Sequence, residues 1–167
     1  MILGMSTAAF TTLHVIISLV GIGSGLVVLV AMCLGRHFAT WTFLFLLSTV
    51  LTSVTGFMFH STAIGPPHVV GLLSLIVLAI ALVALYLRHL RGAARPVYVV
   101  AAALALWFNC FVAVVQAFQK LPALHALAPT QKEPPFLIAQ ALLLAVFVAA
   151  TIYALKRYWG PPARAWR

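Results

Sequence analysis

Long uncharged apolar runs alternate with short polar breaks along the whole 167-residue chain. Five runs reach the roughly 20 residues a helix needs to cross the hydrocarbon core. They predict helices over about 13–34, 41–59, 68–87, 97–118 and 136–155. The breaks carry turn chemistry. Gly65-Pro66-Pro67 stands before the third run, Pro96 opens the fourth, Pro134-Pro135 opens the fifth, and Gly160-Pro161-Pro162 follows it. Proline is tolerated in a first helical turn because its missing N–H would have had no partner inside the helix. The pattern is that of an all-α integral membrane protein, a five-helix bundle in one transmembrane domain over residues 1–167. Residues 1–12 lack the basic n-region of a cleavable signal peptide and are apolar enough to lengthen helix 1 or lie on the interface.

Composition excludes the other classes. The chain is 65% hydrophobic and 7% charged, against about 45–50% and about 25% in soluble domains. A disordered chain would need low hydrophobicity. Ten Lys and Arg against one acid give a net charge of +9, which in a soluble protein would suggest nucleic acid. Here the placement of the cations explains them. Arg36, then Arg88, Arg91 and Arg95, then Lys156, Arg157, Arg164 and Arg167 fall on one side of the membrane, eight in all, against Lys120 and Lys132 beside Glu133 on the other. The positive-inside rule puts the eight in the cytoplasm. The expected setting is a bacterial inner membrane, with the N terminus outside and the C terminus inside. The partner for the charge is the bilayer and its anionic head groups, not nucleic acid. Trp41, Tyr86, Tyr98, Tyr153, Tyr158 and Trp159 sit where interfacial belts belong. Cys33 and Cys110 lie at different depths, so no disulfide is expected, and neither is part of a metal-ligand spacing.

The first two pairs of helices read as two copies of one hairpin. Leu13-His14-Val15 leads to Arg36-His37, and Pro67-His68-Val69 leads to Arg88-His89. Both copies start outside, as parallel repeats would, and the fifth helix would then be an addition to a four-helix core.

No Asp, Glu, Lys or Arg falls inside a predicted span, so the carboxylate that proton-coupled transporters usually titrate is missing. What remains gathers toward the outer leaflet, and intramembrane polar groups are functional candidates by default. His14, His60 and His68 lie at outer helix ends and His125 in the outer loop. Asn109, Gln116, Gln119 and Gln140 are near them, while His37 and His89 flank arginines at the inner loops. Helical spacing sets His14, Ser18, Gly21 and Gly25 on one stripe, Thr49, Ser53, Gly56 and His60 on a second, and Asn109, Ala113 and Gln116 on a third. Such stripes serve helix association through small residues and inter-helix hydrogen bonds, or converge on a cofactor.

Two histidines at one depth suit a b-type haem, with His14 and His68 the symmetric pair and Gly21 and Gly25 leaving room for a flat ring. Copper or zinc needs three or four ligands, which His14, His60, His68 and His125 with Glu133 could supply, and Met58 adds a thioether. A quinone would take its hydrogen bonds from Gln116, Gln140 and His14. Leu121, Leu124 and Leu127 suit a short amphipathic turn in the outer loop, a lid over the histidines. Motifs for other chemistries are absent: there is no Gly-x-Ser-x-Gly, phosphate-cradling loop, His-Glu-x-x-His or carboxylate pair.

The His14-Val15 start, the glycines of helix 1, Val115-Gln116-Ala117-Phe118 and the stretch from Ala128 to Phe136 resemble a family of small bacterial multispan membrane proteins of unassigned function. The paired two-helix units with outer His14 and His68 more loosely resemble predicted membrane proteins of the cytochrome b type. That second resemblance implies an electron-transfer protein with a single b-type haem, since no helix carries the two histidines of a di-haem cytochrome. The other expectations are a metal-binding protein and a non-catalytic accessory subunit of a larger complex or homo-oligomer, docked through its small-residue stripes.

Overall fold

A computed structural model describes residues 4–59 and 66–158, the side chains of Pro66, Pro67 and Tyr158 apart. Helices run over Thr7–Cys33 (α1), Ala39–Phe57 (α2), Pro66–Leu82 (α3), Ala94–Lys120 (α4), Pro122–Leu127 (α5) and Pro134–Tyr158 (α6). The five long helices are long and apolar enough to cross a bilayer. The chain is a multi-pass, all-α membrane protein.

Local chemistry sets the helix ends. α1 begins at Thr7 rather than near Leu13 because the Ser6 hydroxyl caps it, accepting the Ala9 N–H at 3.2 Å. Such a cap satisfies one of the four orphan donors at a helix start. α4 begins at Ala94, so Pro96 is its third residue rather than its opening one, still in the turn whose N–H groups lack helical partners. The expected amphipathic turn in the long connection forms as α5, with Leu121 and Leu127 exposed and Leu124 against the small cluster of Phe118, Ala128 and Phe136.

The third run departs from one uninterrupted helix. Beyond Leu82 it widens into a π-helical turn over Val83–Leu87, closed by Arg88 N–H to Val83 O at 2.9 Å. His89 and Leu90 then take left-handed φ values of 48° and 54°, followed by Gly92 at 53°. Two consecutive non-glycine residues there are costly. Burial of the Leu90 side chain in the main core, at 6% exposure, holds the turn in place.

α1, α2, α3 and α4 form a ring in that order, with α4 closing back on α1, while α6 packs on α1 and α4 from outside. α1 and α3 therefore stand diagonally across the ring. α4 is the most enclosed helix and α6 the least. α4 earns that position with Ala101, Ala102, Ala103 and Ala105, all buried, whose small size lets neighbours come close. Gly25 does the same for α1. A Cβ there would lie 2.5 Å from Leu106 Cδ1 and 2.8 Å from Phe45 Cδ2. Large apolar side chains such as Leu19 and Leu142 point outward, at 60% and 61% exposure, as a lipid-facing surface requires.

Most hydroxyls in the spans are satisfied within their own helix. Ser18, Ser24, Ser48, Thr55 and Thr151 each donate to the carbonyl four residues back, which removes an orphan hydroxyl from hydrocarbon. Bonds that cross between helices include Asn109 Nδ2 to Thr49 Oγ1 at 3.2 Å and Ser53 Oγ to Ser74 Oγ at 3.2 Å. Gly21 faces the first of these. A Cβ on it would sit 3.3 Å from Thr49 Oγ1 and 3.4 Å from Asn109 Nδ2. One residue from each polar stripe, Gly21, Thr49 and Asn109, thus meets the others in one layer. Inter-helix bonds in a bilayer are worth about 0.6 kcal/mol on average and about 1.7 at most. Thr49→Val should lower stability by about that range, read as a fall in the denaturant midpoint of the purified protein.

Candidate functional site

The two ends of the bundle differ in charge. Arg36, Arg88, Arg91, Arg95, Lys156 and Arg157 collect at one end, where a Cβ on Gly35 would lie 3.8 Å from the Arg157 carbonyl oxygen and Leu155 lies beside Arg91 and Arg95. The other end carries His14, His68 and the α4–α6 connection. Arg164 and Arg167 lie outside the described residues.

His14 stands about 10 Å along α1 from Thr7, at 1.5 Å per residue. Its Nδ1 is 2.8 Å from Thr55 Oγ1 on α2. Thr55 has one proton, and it donates that proton to Leu51 O at 2.7 Å. Thr55 must therefore accept from His14, which puts the imidazole proton on Nδ1 and leaves Nε2 with a bare lone pair. This tautomer follows from the hydrogen-bond network. The ring is held edge-on against Phe59, centroids 5.2 Å apart, and Phe59 in turn packs on Phe10 at 5.1 Å. Gly56 faces the ring's Cε1 edge, where a Cβ would make ordinary contact at 3.8 Å.

His68, near the start of α3, meets the same end of α2. Its ring lies 5.9 Å from Phe57, and Phe57 leans on Gly71, where a Cβ would come within 3.2 Å of the ring. Thr55, Phe57 and Phe59 thus place both histidines at one level, on helices that face each other diagonally.

The other candidate residues are distributed more widely. Gly21 and Gly25 leave no open slot. The space beside them is filled by Thr49 and Asn109, and by Phe45 and Leu106. Gln116 is half-buried on α4. Gln140 spends an N–H on Phe111 O at 3.3 Å, while its Oε1 is buried without a partner, as is Trp107 Nε1 on α4. His125 is exposed on α5, a helix that packs on α4. Glu133 is bound up in its own turn, accepting from Thr130 N–H, Thr130 Oγ1 and Lys132 N–H. Desolvation would raise its carboxyl, but these bonds outweigh it and hold the group below the usual carboxylate value. Among the described residues, no three His, Cys, Asp or Glu side chains come close enough to share a metal ion. His60, part of the expected ligand set, lies outside the described residues.

At the arginine end, His37 sits in the α1–α2 connection with Nε2 3.4 Å from Thr42 Oγ1. Burial pushes its pKa below the ordinary histidine value. On unfolding it regains the ordinary value near 6.5. As pH falls through that value toward the lower folded one, the unfolded state takes up the proton first, and stability declines. His37→Gln should flatten the loss of thermal stability between about pH 7 and pH 5. An unchanged slope would assign that loss to another group.

Comparison with known proteins returns no match. No family model, no curated protein and no solved structure corresponds to the chain. Function therefore rests on the residues just described. The feature sequence reasoning missed is Thr55, which fixes the His14 ring. Its signal was the spacing, one helical turn before Phe59 and next to Gly56.

Proposed function

We propose that the chain is a bacterial inner-membrane electron-transfer protein with a b-type haem near the outer leaflet, which His14 and His68 would hold. The observation that carries this is the Thr55 bond to His14 Nδ1. Ligating histidines almost always donate their other N–H to an acceptor, usually a carboxylate, a backbone carbonyl or water, which fixes the tautomer and ring orientation; the Thr55 hydroxyl takes that place here. Adjacent helix axes about 8–10 Å apart put diagonal axes at about 12–14 Å, a span that two imidazoles and one iron bridge. Haem asks for two protein ligands, whereas zinc or copper asks for three or four. The pair His14 and His68 meets the smaller demand from described residues alone.

In this reading Thr55 holds the His14 proton away from the ligating nitrogen. Phe10, Phe57 and Phe59 keep the level apolar. When bound, haem supplies one-electron chemistry whose potential depends on axial ligands and burial. The N terminus faces outward, which sets the site at the periplasmic side, with quinone in the bilayer as electron partner.

Expressed with ample haem and purified in mild detergent, the protein should carry a Soret band and the visible bands of six-coordinate, low-spin iron. A colourless protein that takes up zinc or copper stoichiometrically would replace this reading with metal binding.

A further inference from the structure

The arginine end carries a site of a different kind. A hollow of about 630 Å³ is walled there by His89, Arg91, Arg95, Pro96 and Leu155. Beside it an apolar groove of about 440 Å³ runs between Ile80 and Val83 on one side and Ala94 and Val97 on the other, and Arg88 is the one charged residue lining it. Ala93 lines both spaces, so they adjoin at that residue. Each volume falls within the roughly 300–1,000 Å³ of ligand pockets.

Three observations define the occupant. The first is charge. The chain's single acidic side chain, Glu133, belongs to the connection at the opposite end, so among the described residues no carboxylate neutralises Arg88 or Arg91. The second is the apolar groove, where Ile80, Val83 and Val97 are 43%, 46% and 43% exposed on a surface that faces lipid. The third is the turn itself. The π-helical turn, the left-handed pair His89–Leu90 and the buried Leu90 side chain hold the arginines on a fixed scaffold, and π-turns and strained backbone recur at functional sites.

We infer that this is a binding site for an anionic phospholipid, its phosphate held by Arg88 and Arg91 and one acyl chain laid in the groove between α3 and α4. A free anion would use the hollow and leave the groove empty; a neutral lipid would use the groove and leave the arginines uncompensated. Basic pockets between helices at the cytoplasmic face are suited to such head groups. The inference stands independently of the haem reading.

The test is native mass spectrometry of the full-length protein in detergent, titrated separately with phosphatidylglycerol, phosphatidylcholine and inorganic phosphate. The wild type should retain phosphatidylglycerol preferentially. R88Q combined with R91Q should weaken that binding about 25-fold, at about fivefold per cation removed, with phosphatidylcholine unaffected. Ala79→Trp, an exposed position lining the groove, should weaken phosphatidylglycerol while leaving the fold, checked by circular dichroism, unchanged. Equal retention of the two lipids, or wild-type affinity in the double variant, would overturn the inference. Retention of inorganic phosphate with no effect of Ala79→Trp would overturn it in favour of a simple anion site.

Discussion

Gly25→Leu should abolish accumulation of folded protein, and Gly25→Ala should cost about 1–3 kcal/mol, the usual penalty for overpacking a filled core. The reason is local. A Cβ at this position would lie 2.5 Å from Leu106 and 2.8–2.9 Å from the Phe45 ring, and both of those side chains are themselves 1% exposed. They have no empty space to retreat into, so α1 must back away from α2 and α4 together. Gly23 is the control. Nothing stands within 4 Å of a Cβ there, and alanine is the better helix former by up to about 1 kcal/mol, so Gly23→Ala should be neutral or stabilising. Thermal melts of the two alanine variants in one detergent compare them directly. Equal melting temperatures would show that the α1–α2–α4 contact is looser than described.

The second large effect concerns Thr55. Thr55→Val keeps shape and removes the acceptor for His14 Nδ1–H. Loss of such a partner typically costs 10–100-fold in affinity for the bound group, so haem affinity should fall by about that factor while helicity is unchanged. Thr55→Ser, which restores an acceptor oxygen, should recover most of the loss. A valine variant that binds haem as tightly as the wild type would mean that Thr55 serves packing and not ligand positioning.

Much of the fold is written in the pattern of apolar runs. Five spans were legible because a helix crossing hydrocarbon must hide every backbone polar group internally, which demands long uncharged segments. Their ends were less legible, since a single hydroxyl at Ser6 moved the start of α1 and the chain before Pro96 joined α4. The small-residue stripes were legible too, and the structure brings Gly21, Thr49 and Asn109 into one layer. What that layer does was not legible. Its space is filled by side chains from facing helices, which no spacing along one helix reveals.

The turn after α3 shows the limit most clearly. Nothing in Val83-Ala84-Leu85-Tyr86-Leu87 distinguishes a π-helical turn from an α-helical one by composition. It arises because Leu90 reaches the core and the backbone adapts. The arginines beside it read along the chain as signals of orientation, and only the folded turn shows that Arg91 and Arg95 border a hollow and Arg88 the groove adjoining it. Likewise the His14 and His68 level could be anticipated from two helix starts, but the choice of tautomer at His14 depends on Thr55 and Leu51, which belong to another helix.

The proposed haem ligands are His14, through Nε2, and His68. The most direct test is a haemin titration of the purified, haem-free protein, followed by absorption in the oxidised and reduced states. The wild type should saturate at one haem per chain with a low-spin spectrum, His14→Ala and His68→Ala should each yield a five-coordinate, high-spin spectrum or none, and His125→Ala should titrate as the wild type does. Saturable low-spin binding that survives in both His14→Ala and His68→Ala, or no binding by the wild type at all, would contradict the account.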